Sequence, residues 1–160
     1  MSRLPVAMFR IGLGPLFAGR LLLLIHTGRT TGRTRKTVLE VVDREPGQPA
    51  WTIASGFGAQ ADWYRNLEHQ PKATIQLGRR YHPVTARFLT PEEGAGVMVR
   101  YARAHPLLAR RLSTAMGFPT DGSPESYRRV GRELPFVRLE RQLPPADAEA
   151  RPSARRPKRS

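Results

Sequence analysis

Two apolar runs of strand length, Leu21–Ile25 and Val38–Val42, flank one short basic loop, Thr27-Gly28-Arg29-Thr30-Thr31-Gly32-Arg33-Thr34-Arg35-Lys36-Thr37. The runs read as consecutive strands, and the loop as their connection. It offers four cationic side chains, a series of threonine hydroxyls and two glycines able to bring backbone N–H groups close to a ligand. That is the chemistry of an anion cradle, in which full charges meet oriented donors. A solvated turn has the same composition, so the loop alone leaves both readings open. A second stretch, Ser55-Gly56-Phe57-Gly58 with Asp62-Trp63-Tyr64-Arg65-Asn66-Leu67, favours a bound cofactor.

Charge and cysteine content narrow the function classes. The chain has 160 residues, enough for one domain with a real core. Its 27 lysines and arginines against 13 acids give a net charge of +14, which predicts attraction to a polyanion without naming one. No cysteine is present, so disulfides, thiolate metal sites and a cysteine nucleophile are excluded. No stretch reaches the roughly 18 consecutive apolar residues of a spanning helix. Met1–Ile25 is apolar but interrupted by arginine, glycine and proline, and it lacks a clean signal-peptide core. A cytoplasmic protein is expected, with the N-terminus a candidate foot on the inner membrane surface.

The chain divides into an N-terminal apolar arm (1–20), a folded domain (21–142) and a basic tail (143–160) expected to be disordered. Within the arm, Pro5–Phe17 has helical spacing. Strands are expected over Arg20–His26, Lys36–Asp43 and Ala50–Ser55, followed by a helix from an Asp62 cap to Gln70, before Pro71. Ala73–Leu77 and Arg80–Phe88 read as a hairpin turning at Gly78-Arg79. Thr90-Pro91-Glu92-Glu93 reads as a capping box opening a helix to about His105. Further helices from Pro106 to about Met116 and from Pro124 to about Leu134 precede a last strand, Phe136–Arg141. About six mostly antiparallel strands with segregated helices argue for an α+β fold, a small closed or split β-barrel.

Most catalytic motifs are missing. Gly56-Phe57-Gly58-Ala59-Gln60-Ala61 spells the dinucleotide fingerprint, but no acid follows at ribose distance and the flanking strands look antiparallel. There is no phosphate-binding G-x-x-x-x-G-K-[ST] loop. The histidines His26, His69, His82 and His105 are scattered, each reading as a lone structural or surface residue, so no metal site is expected. Ser55 lacks a nucleophile elbow. An enzyme built this way would take its reactive atom from a bound organic cofactor.

The run from Leu23 to Thr37, then Ala54–Gly58 and Asp62–Leu67, resembles the deazaflavin-dependent nitroreductase family. These are relatives of coenzyme F420-dependent quinone reductases from actinobacteria, with an FMN-binding-like split barrel. Gln70-Pro71, Val84–Arg87 and Thr90-Pro91-Glu92-Glu93 continue the likeness. The resemblance implies that Arg29, Thr30, Thr31, Arg35, Lys36, Thr37, Val38 and Leu39 hold the anionic tail of coenzyme F420. It sets the ring against Ala54, Ser55 and Gly56, with Asp62, Trp63, Tyr64, Arg65 and Asn66 closing the site. It further implies hydride transfer to an electron-poor acceptor such as a quinone, nitro compound or activated alkene, and it admits a homodimer. No catalytic residue is assigned; Tyr101 and Tyr127 are candidates for the family's substrate-site tyrosines. The alternatives are an FMN- or haem-binding barrel, and a basic module gripping nucleic acid or membrane; specific nucleic-acid binding is not expected, because no recognition motif occurs.

Overall fold

The computed structural model describes residues 21–56 and 58–143. The expectations for the N-terminal arm, for Phe57 and for the tail beyond residue 143 lie outside the described residues.

Six strands carry the fold: β1 (Leu21–Thr27), β2 (Thr34–Asp43), β3 (Ala50–Ala54), β4 (Lys72–Leu77), β5 (Arg80–Phe88) and β6 (Phe136–Arg141). They close in the order β1-β2-β3-β6-β5-β4, with every pair antiparallel and β4 returning to β1. This is the expected α+β barrel. Alternation fixes its register: Leu22 and Leu24 point inward at 1% and 0% exposure, while Leu21 is 46% exposed. The hairpin falls where expected, with Leu77 paired to Arg80 across Gly78 at φ +60°.

β2 starts two residues earlier than the sequence suggests, with Thr27 paired to Thr34. Thr34 and Arg35 are therefore strand residues rather than loop, and Arg35, Lys36 and Thr37 are held by β1 opposite His26, Ile25 and Leu24. On its other edge β2 meets β3 only at Val41 and Asp43, with a register shift between them. The first part of β2 thus has one paired edge and one free of β3, and the barrel is split there.

The inner core joins Leu22, Leu24, Trp51, Ile53, Ile75, Val84, Val137 and Leu139 with Trp63 and Leu67 of helix α1 (Asp62–His69). Asp62 is the first residue of α1 rather than its cap; Ala61 holds the cap position with no side-chain hydrogen bond. The Asp62 carboxylate is instead drawn to Arg29, 3.1 Å away. A second core lies outside the barrel, where α2 (Pro91–Ala104), α3 (Pro106–Ala115) and α4 (Pro124–Glu133) pack with Phe136 and Leu134. The Thr90 capping box opens α2, as expected, and Ser123 caps α4 through the Ser126 N–H. Among the described residues no helix is long and apolar enough to cross a membrane.

Candidate functional site

The split between β2 and β3 opens into a cavity of about 1200 Å³. One end is built from the basic loop and the first half of β2, the other from apolar side chains of α2, α3 and the strand ends. Of the residues expected at a cofactor site, Arg29, Thr30, Thr31, Arg35, Lys36, Thr37, Val38 and Leu39 all line it. So do Ala54, Gly56, Asp62, Trp63 and Asn66.

Three expected residues are not in its wall. Ser55 is 1% exposed and its hydroxyl donates to the Gly58 carbonyl at 2.5 Å, so it shapes the turn after β3. Tyr64 packs edge-on against Phe88 with ring centroids 5.1 Å apart. Arg65 is exposed on α1. Helical spacing explains the last two, since the residues between Trp63 and Asn66 face other directions.

The loop's donors are used differently from the simple cradle. The Gly28 N–H donates to the Arg33 carbonyl and the Gly32 N–H to the Gly28 carbonyl, both at 2.8 Å. These bonds close the loop on itself, and Gly32 supplies the left-handed φ of +68° that the turn requires. A Cβ on Gly28 would lie 3.2 Å from the Thr31 hydroxyl and 3.3 Å from the Arg33 carbonyl, so the loop is tight there. The glycines therefore shape the loop rather than present N–H groups to a ligand.

Arg29 is also committed inside the protein. Its backbone N–H and its guanidinium both donate to Asn66 Oδ1, at 3.1 and 2.8 Å, and its other nitrogen pairs with Asp62. Arg33, Arg35 and Lys36 have no ion pair among the described residues, while several acids pair with other arginines. Asp43 pairs with Arg100, Glu45 with Arg138, Glu92 with Arg132, and Glu93 and Glu140 with Arg87. Positive charge is left uncompensated at the hydroxyl-rich end of the cavity, where an anion would be neutralised.

Sequence reading missed the opposite wall. Val42, Met98, Leu112, Met116, Leu134 and Phe136 make an apolar end. Their spacing on α2 and α3 predicts a buried helix face, but not that part of the face borders a cavity. Gly56 abuts this wall, since a Cβ there would sit 3.2 Å from Met116 Sδ. One polar pair lies within it: the Tyr101 hydroxyl is 3.5 Å from Glu40 Oε1, and burial with the Glu40 charge pushes the phenol's pKa upward. His26, read from sequence as a lone histidine, is 4% exposed and lines the cavity between Thr37 and Asn66. Burial and the Arg35 charge hold its imidazole below the ordinary pKa, against an opposing pull from Asp62.

A family model and three solved structures bear on this geometry. The family model described as F420H(2)-dependent quinone reductase matches residues 5–116. The solved structure of an F420-H2 dependent reductase, FDR-A, is 26% identical over 76% of this chain and 94% of its own, with a TM-score of 0.52. A domain-swapped dimer is 23% identical over 76% of this chain and 80% of its own, at a TM-score of 0.50. A pyridoxamine 5'-phosphate oxidase-related, FMN-binding protein from Nostoc punctiforme shares the fold at 11% identity and a TM-score of 0.53, covering 88% of this chain and 82% of its own.

Proposed function

Because this chain belongs to the F420H(2)-dependent quinone reductase family, with coenzyme F420 as cofactor and oxidoreduction as its chemistry, we propose that it passes a hydride to an electron-poor organic acceptor with an apolar body. Quinones come first among these, then nitro compounds and activated alkenes. The observation that carries the reading is the two-ended cavity, basic and hydroxyl-lined at one end and apolar at the other.

The residues present fit the cofactor. Its phosphate and carboxylate groups call for the uncompensated charges of Arg35 and Lys36 and the hydroxyls of Thr30, Thr31 and Thr37. A flat ring finds close backbone approach at Ala54 and Gly56, and a wall in Trp63. When bound, the reduced deazaflavin supplies the hydride, two electrons and one proton, and a second proton completes reduction of the acceptor. The chain contributes orientation, charge neutralisation and exclusion of water. Arg29 and Asn66 brace the site from behind, and the apolar wall around Met98, Leu112 and Met116 takes the acceptor.

Anaerobic mixing of the full chain with reduced F420 and a panel of a quinone, a nitroaromatic and an enone tests this. Return of oxidised-deazaflavin fluorescence with the quinone, faster than in protein-free controls, is the expected result. Cofactor oxidation no faster than without protein for every acceptor would overturn it.

A homodimer stands as a second part of the proposal. It is supported by likeness to a domain-swapped dimer and by the aliphatic side chain of Leu21, 46% exposed on the outer barrel face. Light scattering of the full chain tests it, and a monomer at micromolar concentration would contradict it.

A further inference from the structure

Asn66, His26 and Thr37 form a hydrogen-bond chain whose polarity is fixed at one end. Asn66 Oδ1 accepts two donors from Arg29, the backbone N–H at 3.1 Å and Nη1 at 2.8 Å. That leaves Asn66 Nδ2, which can only donate, facing His26 Nδ1 at 3.1 Å. Nδ1 must therefore accept, and the proton of the neutral ring sits on Nε2. Nε2 lies 3.1 Å from Thr37 Oγ1, so the threonine oxygen accepts there and keeps its own hydrogen to give. Among the described residues no acceptor meets that hydrogen, and Thr37 lines the cavity.

We infer that His26 is a positioning residue: in its neutral Nε2–H form it fixes the Thr37 hydroxyl as a donor to a phosphate or carboxylate oxygen of the ligand in the cavity. The inference rests on reading that cavity as the cofactor site. Protonation would break the relay, because an imidazolium sets a second N–H against Asn66 Nδ2. Turning the amide to accommodate it would place its NH₂ against both Arg29 donors. The charged groups facing His26 are Arg35 on β2, Asp62 on α1 and Arg29 in the loop between β1 and β2. Burial and Arg35 favour the neutral ring, and Asp62 opposes them less strongly.

The relay and simple charge predict opposite pH dependences. An imidazolium near an anionic ligand would strengthen binding through its charge alone, whereas a broken relay weakens it. Cofactor affinity is therefore expected to fall as the pH is lowered through the His26 titration. A donor to a charged oxygen is worth about a tenfold change in affinity or more.

Two measurements on the full chain decide it. Nitrogen chemical shifts of the labelled imidazole, without cofactor, are expected to report the Nε2–H tautomer at neutral pH. Fluorescence titration of F420, taken from neutral pH down through the His26 titration that the same imidazole shifts locate, is expected to show the wild type losing about tenfold in affinity toward acid. His26→Gln, whose amide can accept from Asn66 and donate to Thr37 at any pH, is expected to keep neutral-pH affinity and lose the pH dependence. His26→Leu and Thr37→Val are expected to be about tenfold weaker throughout. An Nδ1–H tautomer, wild-type affinity in the leucine variant, or affinity that rises toward acid would each overturn the inference. A wild type that binds no F420 contradicts the proposed function instead, and the tautomer then decides the relay: Nε2–H upholds it and Nδ1–H overturns it.

Discussion

Gly94 and Gly131 meet backbone to backbone where α2 crosses α4. A methyl group on either would fall inside permitted contact with the carbonyl oxygen of the other, and on Gly94 it would also lie 2.9 Å from the Phe136 ring. This crossing holds α2 against the barrel and so sets Met98 and Tyr101 at the cavity wall.

Alanine at either glycine should therefore force the helices apart. The expected cost is about 3 kcal/mol, the upper range for overpacking, since backbone cannot step aside as a side chain can. Urea unfolding of Gly94→Ala and Gly131→Ala measures it. A loss below about 0.5 kcal/mol, the scale of neutral surface changes, would mean that the helices part freely.

The cations of the loop should divide by role. Arg29 is tied to Asn66 and Asp62, whereas Arg35 and Lys36 have no ion pair among the described residues. Arg29→Ala should lower stability by about 1 kcal/mol, because Asn66 Oδ1 loses the guanidinium donor and keeps only the backbone N–H of residue 29. Arg35→Ala and Lys36→Ala should leave stability within about 0.5 kcal/mol and weaken F420 binding about tenfold each. Unfolding curves and cofactor titrations on the same three variants separate the two roles.

Stability should fall toward acid through His26. Its pKa is depressed in the folded protein, so the unfolded chain takes up the proton first. The contribution is present above the ordinary histidine value of about 6.5 and is lost as the pH falls through the lower folded value. His26→Gln should remove this component from the pH–stability profile. Asn66→Asp should act oppositely on the histidine: a carboxylate still accepts from Arg29 but cannot donate to Nδ1, so the imidazole should titrate higher than in the wild type.

The apolar end should control the acceptor rather than the cofactor. Met116→Trp adds bulk beside Gly56 and Leu112. Steady-state kinetics should show KM for a quinone rising several-fold, with F420 affinity changed by less than about threefold. Equal loss in both would place the two ligands in one shared subsite.

Much of this fold is legible in the sequence because local signals agree with it. The continuous apolar run Leu21–Ile25 reads as a strand by its length, although only the structure shows that Leu22, Leu24 and His26 are its buried side. Thr90 with Glu93, and Gly78 at the hairpin, name their own boundaries. Boundaries set by pairing rather than propensity are less legible. Arg35 looks like a loop residue by charge, and only its partner His26 on β1 places it in β2. The site divides similarly. Its basic half lies within one stretch of chain, from Arg29 to Leu39, and can be recognised there. The apolar half comes from Met98, Leu112, Met116 and Phe136, which are ordinary core residues until the tertiary packing leaves space beside them. Ser55 shows the converse: its type suits a ligand contact, but the turn after β3 takes its hydroxyl.

The most direct test of the central claim is fluorescence titration of coenzyme F420 into the purified chain at moderate salt, beside flavin mononucleotide and with Arg35→Ala and Trp63→Ala. The account predicts micromolar binding of F420, weaker flavin binding, and loss of F420 affinity in both variants while they remain folded. Absence of F420 binding, or flavin bound more tightly than F420, would contradict it.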